Sequence, residues 1–480
     1  MEEQQQVSVQ THRPRRRRRT QAEIFKEAYL PAIIAGAAVL MIIIFVIGSI
    51  TRSIQRKRVE EEIRANEITE EQQADLSKLT EEANALIAEA DLLAADYRYD
   101  EAIAKLDTFS GDMSRFPTLT EKRTQLQEAK SKMVAWSDPS KITHLSFQML
   151  IADPARAFKD ASLGSKYNQN FVTTGEFSKI LQQLYNNGYM LVSLDDFVSA
   201  EKNDAGATVY RAKTLYLPAG KKPLMITQNQ VNYYKYMVDG DNDKLRQPDK
   251  DGAGFANKLV VGADGKVTCQ YVDATGKSLT GAYDLVPILD KFIENNPSFS
   301  YRGAKAIISV SGYEGVFGYR TDTDSKSLLG ATAYAAEVEG AKKVAKALRD
   351  SGYEIACYTY SNKAYGNATA AEIRADLSGW NSEVLPILGN VDILVYAQNS
   401  DITTNAVYTG EKFNILQNAG FRYYLGFAAD GSCWATITDS YVRMGRIMVT
   451  GSNLAHHASW FNGIFNANAV LDTTRGNVPK

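Results

Sequence analysis

Asn229 and Gln230 are the first residues of this chain whose types and placement could do chemistry. They close the run Lys222-Pro-Leu-Met-Ile-Thr-Gln-Asn-Gln. An apolar run ending in polar side chains reads as a buried strand entering a polar loop, where a barrel enzyme carries its reacting groups. Two neutral amides there can donate and accept hydrogen bonds, but neither takes up a proton near neutral pH. Histidine is scarce: only His12, His144, His456 and His457 occur. His144 lies near the end of the first predicted strand and reads as a ligand at a barrel mouth or as a satisfied core histidine, the second being the expectation. His456 and His457 are adjacent, so on a strand they point to opposite faces and share an ion poorly. They are expected as exposed residues of a polar tail. Cys269, Cys357 and Cys433 are odd in number and widely spaced. This excludes a CxxC zinc site and argues against a disulfide framework, although one pair could form.

Other polar clusters are weaker. Asp239-Gly-Asp-Asn-Asp243 lacks the glycine and the terminal glutamate of a calcium loop and reads as a solvated acidic loop. Gly276-Lys-Ser278 mimics the end of a phosphate-binding loop, but Tyr271 stands where a glycine is needed. Gly312 to Thr321 is richer. It places Tyr313, Glu314, Phe317, Tyr319 and Arg320 just after a predicted strand. Aromatic rings and an arginine at a cleft suit a sugar ring or an anionic polymer. Asn232, Tyr233 and Tyr234 extend the 222–236 run in the same way. Aromatic packing beneath the loop is the alternative.

The elements that must position these residues alternate. Strands are expected over Ile142–Leu150, Met190–Leu194, Ala306–Val310, Glu354–Thr359, Val391–Tyr396 and Phe421–Gly426. Helices are expected over Thr174–Gly188, Ala333–Ser351, Ala370–Leu388 and Phe413–Ala419. Such alternation implies parallel strands with crossover helices, an α/β fold. Residues 256–283 read as a hairpin insertion turning at Asp264-Gly265. Upstream, Val59 to Ala135 is rich in Glu, Ala, Lys and Leu. Leu76, Leu79, Ala83, Leu86, Ala90 and Leu93 share one helical face. A second helix starts at Tyr99. A third is opened by a Thr118–Glu121 capping box and runs to about Val134. The pair around Ala83 to Leu106 resembles one tetratricopeptide-like hairpin, which by itself makes only a spacer or self-association element.

Leu30 to Ile50 is 21 residues without a charge, enough to span a bilayer core of about 30 Å. Seven positive residues precede it and four follow it, which favours a cytoplasmic N-terminus. The net charge of -2 gives no global argument for nucleic acid.

The run around Asn229 resembles the first motif of polysaccharide deacetylases (the NodB-homology family), Thr-Phe-Asp-Asp-Gly. Thr227 is kept, while Asn229 and Gln230 replace the aspartates. Phe177 to Leu194 is similar to the family's helix-then-strand element. Glu354 to Asn362 is similar to its second motif, a strand ending in His-Ser-x-x-His. Val391 to Asn399 looks like the later strand leading to a Pro-x-Gly turn. The resemblance covers about Ile142 to Met448 and implies a distorted (β/α) barrel of about seven strands. It also implies a divalent ion, usually zinc, held by one aspartate and two histidines, with the other aspartate as general base. Carried over, the base position is Asn229, the aspartate ligand Gln230, and the histidines Tyr358 and Asn362. All four have departed from the pattern, and zinc takes imidazole, thiolate or carboxylate.

The expected organisation is a basic cytoplasmic tail (1–29), a transmembrane helix (30–50), a helical stalk (51–138), a deacetylase-like barrel (139–450) and a C-terminal tail (451–480). The expected protein is a single-pass membrane protein of a Gram-positive envelope. Its extracellular barrel binds cell-wall or capsular glycan without hydrolysing it, needs no cofactor and takes no nucleic acid. Two alternatives stand beside it. One is an active N- or O-deacetylase using Glu314, Asp322, Asp324, His144 or Asp401 around a divalent ion. The other is an envelope scaffold that contacts a protein partner.

Overall fold

The computed structural model describes residues 45, 47–58, 70–160, 162–239, 248–404 and 407–480. These fall into two compact units: residues 1–92 with 101–126, and residues 93–100 with 127–480. The expected membrane crossing is corrected. Among the described residues no helix is long and apolar enough to cross a membrane. Most of Leu30–Ile50 lies outside the described residues. Its last four residues belong to a helical run, 47–58, that carries Arg52, Arg56, Lys57 and Arg58. The single-pass envelope placement that rested on this crossing falls with it.

The first unit is helical where described. Helix α1 spans Glu70–Ala95, α2 Tyr99–Leu106 and α3 Pro117–Ser131. Ala83, Leu86, Ile87 and Ala90 of α1 are buried at helical spacing, as are Ala102 and Leu106 of α2. The expected Thr118–Glu121 capping box does not form. Pro117 takes the first helical position, where a missing N–H costs nothing, so Thr118 lies inside α3. Helix α3 also ends earlier than expected. Met133–Trp136 is a strand paired antiparallel with Leu215–Pro218.

The second unit is built on a closed ring of seven parallel strands. They are β1 (Thr143–Phe147), β2 (Lys222–Gln228), β3 (Ile307–Val310), β4 (Glu354–Cys357), β5 (Ile393–Val395), β6 (Tyr423–Phe427) and β7 (Val442–Met448). Each pairs with the next, for example Ile307 with Thr227 and Cys357 with Leu394. Ile447 pairs with Leu145, which closes the ring from β7 back to β1. The (β/α) barrel implied by the resemblance is therefore present, and the parallel strands read from the alternation with it. It is distorted by an extra strand, Tyr189–Leu191, which pairs with the start of β2, while β3 pairs with the end of β2. Helices α4 (Thr174–Asn186), α5 (Leu285–Asn295), α6 (Ala331–Asp350), α7 (Ala370–Gly379) and α8 (Glu411–Asn418) lie between the strands in sequence. The insertion at 256–283 is a three-stranded antiparallel sheet, one strand more than a hairpin.

Side chains alternate along each strand. Leu145, Phe147, Leu224, Ile226, Ile308 and Val310 belong to the large core beneath the helices. Met225, Ile307, Ala356, Ile393, Leu425, Val442 and Met444 belong to a second core, which fills the barrel. Following the inward set toward the strand ends gives Ser146 on β1, Thr227 and then Asn229 on β2, Tyr358 after β4, and Arg446 on β7. The period that fills the barrel with hydrocarbon thus delivers a polar layer at its C-terminal mouth.

Candidate functional site at the barrel mouth

Arg446 occupies the centre of this layer and is only 1% exposed. Its Nε donates to the Gly426 carbonyl at 3.1 Å. Its Nη1 donates to Ser146 Oγ and to Asn229 Oδ1, both at 2.9 Å. Asn229 Nδ2 donates to Ser146 Oγ at 3.0 Å. Asn229 is thus locked between a cation and a hydroxyl, its carbonyl oxygen turned to the guanidinium. Burial pulls the Arg446 pKa down to about 10, still far enough above neutrality for it to stay charged.

Gln230, the next residue, turns to a different set. Its Nε2 donates to Asn362 Oδ1 at 2.9 Å. Asn362 Nδ2 donates to the Tyr234 hydroxyl at 3.1 Å, and Gln398 Nε2 donates to the Asn362 carbonyl at 2.9 Å. The Tyr358 hydroxyl accepts from the Gln398 backbone N–H at 3.4 Å. Burial raises the Tyr358 pKa, with Arg446 opposing that rise. Of the four positions picked out by the resemblance, Gln230 and Asn362 bond directly, Asn229 bonds Arg446, and Tyr358 feels the Arg446 charge.

The loops here are strained. Gln230, Tyr233, Glu314, Phe317, Thr359, Asn362, Gln398 and Asn399 all have φ between 49° and 60°. Each follows a barrel strand. For the β-branched Thr359 this is a costly conformation, of order 1–3 kcal/mol. Such strain collects where side chains must be aimed rather than merely packed.

The remaining expected residues divide sharply. Asn232 is fully buried: its amide donates to the Ser311 carbonyl at 2.8 Å and to the Gly315 carbonyl, and its oxygen accepts from Ser311 N. Tyr233 is buried too and donates to Asp284 at 2.6 Å. Arg320 Nη1 and Nη2 donate to the Glu314 and Tyr233 carbonyls at 3.1 and 2.9 Å. Asn232 and Arg320 staple the 229–238 loop to the 311–321 loop, and Tyr233 ties it to Asp284. Glu314 accepts from Lys235 N at 2.6 Å. Tyr319 is half-buried under Lys258, whose Nζ lies 4.1 Å from the ring centre. Tyr313 alone of this group is open, 51% exposed, with its ring centre 5.9 Å from that of Tyr234. Tyr236 stacks on Tyr234 at 5.8 Å and is 44% exposed. Two open tyrosine rings therefore pack against Tyr234, which bonds Asn362 in the polar centre.

The acid and base candidates are engaged elsewhere. His144 is fully buried, with its Nε2 2.7 Å from Thr227 Oγ1. Burial, then Arg446, hold its pKa well below the usual value, so it is neutral. Asp401 binds Arg443 at 2.8 Å and accepts from the Tyr408 hydroxyl. Asp322 caps a short helix through Ser325 N, and Asp324 sits exposed in that helix's first turn. Among the described residues no three His, Cys, Asp or Glu side chains come together to hold a metal ion. The mouth does not fit the divalent ion that the resemblance implies. Its donors are amides and a phenol, and a guanidinium already bonds Asn229. His456 and His457 are exposed, with His456 Nε2 bonded to the Val478 carbonyl at 2.9 Å. The three cysteines are free thiols. Sequence reasoning missed Arg446, Ser146 and Gln398. An arginine at an inward position of a strand was the signal that could have found the first.

The sequence matches no protein-family model and no curated protein. Among solved structures it is similar to the Streptococcus pyogenes deacetylase PplD in complex with acetate. The identity is 13%, over 66% of this chain and 96% of that one, with a TM-score of 0.32. It is also similar to BC0361, a polysaccharide deacetylase from Bacillus cereus, at 12% identity over 68% of this chain and 69% of that one, again with a TM-score of 0.32. Likeness at this level carries no argument about chemistry, and the barrel stands on this chain's own strand pairing.

Proposed function

We propose that this chain is a sugar-binding barrel of the polysaccharide deacetylase type that does not hydrolyse what it binds. The observation that carries this reading is the Arg446–Asn229–Ser146 centre with its Gln230–Asn362–Tyr234 neighbour. Deacetylation needs a base to activate water and an electrophile to polarise the acyl carbonyl. At this mouth the amides cannot act as the base, and the one histidine is sealed below. What remains is a set of fixed hydrogen-bond partners with two open tyrosine rings packed on Tyr234 beside them, which suits recognition of a polyhydroxylated ring.

Calorimetric titration of the purified chain with acetylated oligosaccharides, run beside an acetate-release assay, tests this. Binding without acetate release is expected. Acetate released in proportion to protein, and lost in Asn229→Ala, would overturn the reading. Because Tyr313 is exposed, Tyr313→Ala should leave the fold intact and weaken binding about 5- to 10-fold, in line with the loss of one ring contact.

A further inference from the structure

A guanidinium carries five N–H donors. Arg446 directs three of its hydrogen bonds to neutral acceptors: the Gly426 carbonyl, Ser146 Oγ and Asn229 Oδ1. Among the described residues no carboxylate bonds to it. Among the described residues its Nη2 finds no acceptor, and it is not wholly sealed from solvent. The charged groups that could answer it are already committed, Asp401 to Arg443 and Glu314 to Lys235 N. A buried charge facing only neutral groups is disfavoured, and pairing with an anion relieves this. Two more polar atoms at the same ends of the strands, Gln148 Oε1 after β1 and Thr359 Oγ1 after β4, are buried and unpartnered.

We infer that Arg446 Nη2 is an anion-recognition point for a carboxylate carried on a sugar ring, so that the barrel prefers acidic over neutral glycans. This deepens the sugar-binding reading and rests on it. A carboxylate oxygen would accept from the one guanidinium nitrogen left without an acceptor, in a charge-assisted hydrogen bond. Tyr313 and Tyr236, both packed on Tyr234, are the open rings on which the sugar bearing it would stack. Arg446 binds here and performs no chemistry.

The test compares a uronate oligosaccharide with the same oligosaccharide after its carboxyl groups are reduced to alcohols, with sodium acetate as a third probe. The uronate form should bind about 10- to 100-fold more tightly, the worth of one charge-assisted hydrogen bond. Asn229→Asp is the decisive variant, because it places a carboxylate beside Arg446 from within while keeping the side chain's size. It should erase the difference between the two oligosaccharides. Arg446→Gln should do the same, and circular dichroism checks that it folds. Equal binding of the two oligosaccharides by the unaltered chain would overturn the inference and leave the sugar-binding reading standing. Binding of neither would overturn both. Binding of acetate without the uronate oligosaccharide would overturn the assignment of the carboxylate to a sugar.

Discussion

Asp284 accepts four hydrogen bonds: from Leu150 N, Gln228 Nε2, Leu285 N and the Tyr233 hydroxyl, at 2.9, 2.6, 2.8 and 2.6 Å. One buried carboxylate thereby ties the loop after β1, the end of β2, the 229–238 loop and the start of α5. Asp284→Ala would orphan four donors and should cost about 3 kcal/mol or more in urea denaturation. Asp284→Asn, which can still accept, should cost less. Glu354, at the other end of the barrel, works against the fold. Burial first, then Asp195, Asp392 and Asp196, raise its pKa from 4.5 to about 8. Between those values the folded chain holds a proton that the unfolded chain has lost, so stability falls as pH rises. Glu354→Gln should flatten this slope and raise the melting temperature at pH 8 relative to pH 5. At this scale the sequence was partly legible. Asn229, Gln230, Tyr358 and Asn362 were found through the resemblance and do stand at the mouth. Asn232 and Tyr233 looked alike on paper, yet turned inward to satisfy loop backbone and Asp284. Nothing in residue type separates a side chain that staples a loop from one that meets a ligand.

The loop carrying Asn362 is held by its neighbouring helix. Asp376 of α7 accepts from Tyr360 N at 2.8 Å, Ser361 N at 3.0 Å and the Tyr365 hydroxyl at 2.8 Å. The Tyr360 ring then lies between Gly312 and Gly379, where an added Cβ would come within 2.2 and 2.5 Å of it. Gly379→Ala should therefore destabilise the chain by about 1–3 kcal/mol through overpacking, although alanine in a helix would otherwise gain about 1 kcal/mol. A thermal melt decides the sign. Directly after Gly379, Trp380–Val384 forms a π-helical stretch before Leu385–Leu388 continues as α-helix. The sequence predicted one helix from 370 to 388, correct in span but blind to the extra residue, because hydrophobic spacing barely changes across a single wide turn. It also missed the hairpin Val198–Lys202 with Thr208–Ala212. Its outer residues are polar and exposed, so no core periodicity marks it.

Across the whole barrel unit, the segment around Arg475 returns to α4. Arg475 forms a buried pair with Glu176, Nε to Oε1 at 2.5 Å, with side chains 1% and 0% exposed. It also reaches the Asn168 and Phe171 carbonyls. Glu176 is at the same time the capping-box partner of Thr173 at the start of α4. The stretch 451–480, which reads as a polar tail, therefore packs as part of the barrel unit. Its polarity is spent on buried hydrogen bonds, which composition cannot distinguish from solvation. Arg475→Ala takes the cation from an enclosed carboxyl group and should cost about 3–5 kcal/mol, measurable as a lower urea midpoint with an unchanged slope. The alternation of strands and helices was legible because a closed parallel barrel repeats one pattern. Its closure depends on the β7–β1 pairing between residues about 300 apart in sequence, and no local signal reports that.

The polar layer at the mouth has one property that no single residue displays. Burial lowers the Arg446 pKa only to about 10, burial and Arg446 hold the His144 pKa well below 6.5, and burial moves Tyr358 upward from 10. Between about pH 7 and 9 nothing in that layer titrates. If the mouth binds an acidic sugar as proposed, any pH response in binding between those values must come from the sugar. Affinity for an acidic sugar should stay flat over that range and decline only as its own carboxyl, near pH 4, takes up a proton.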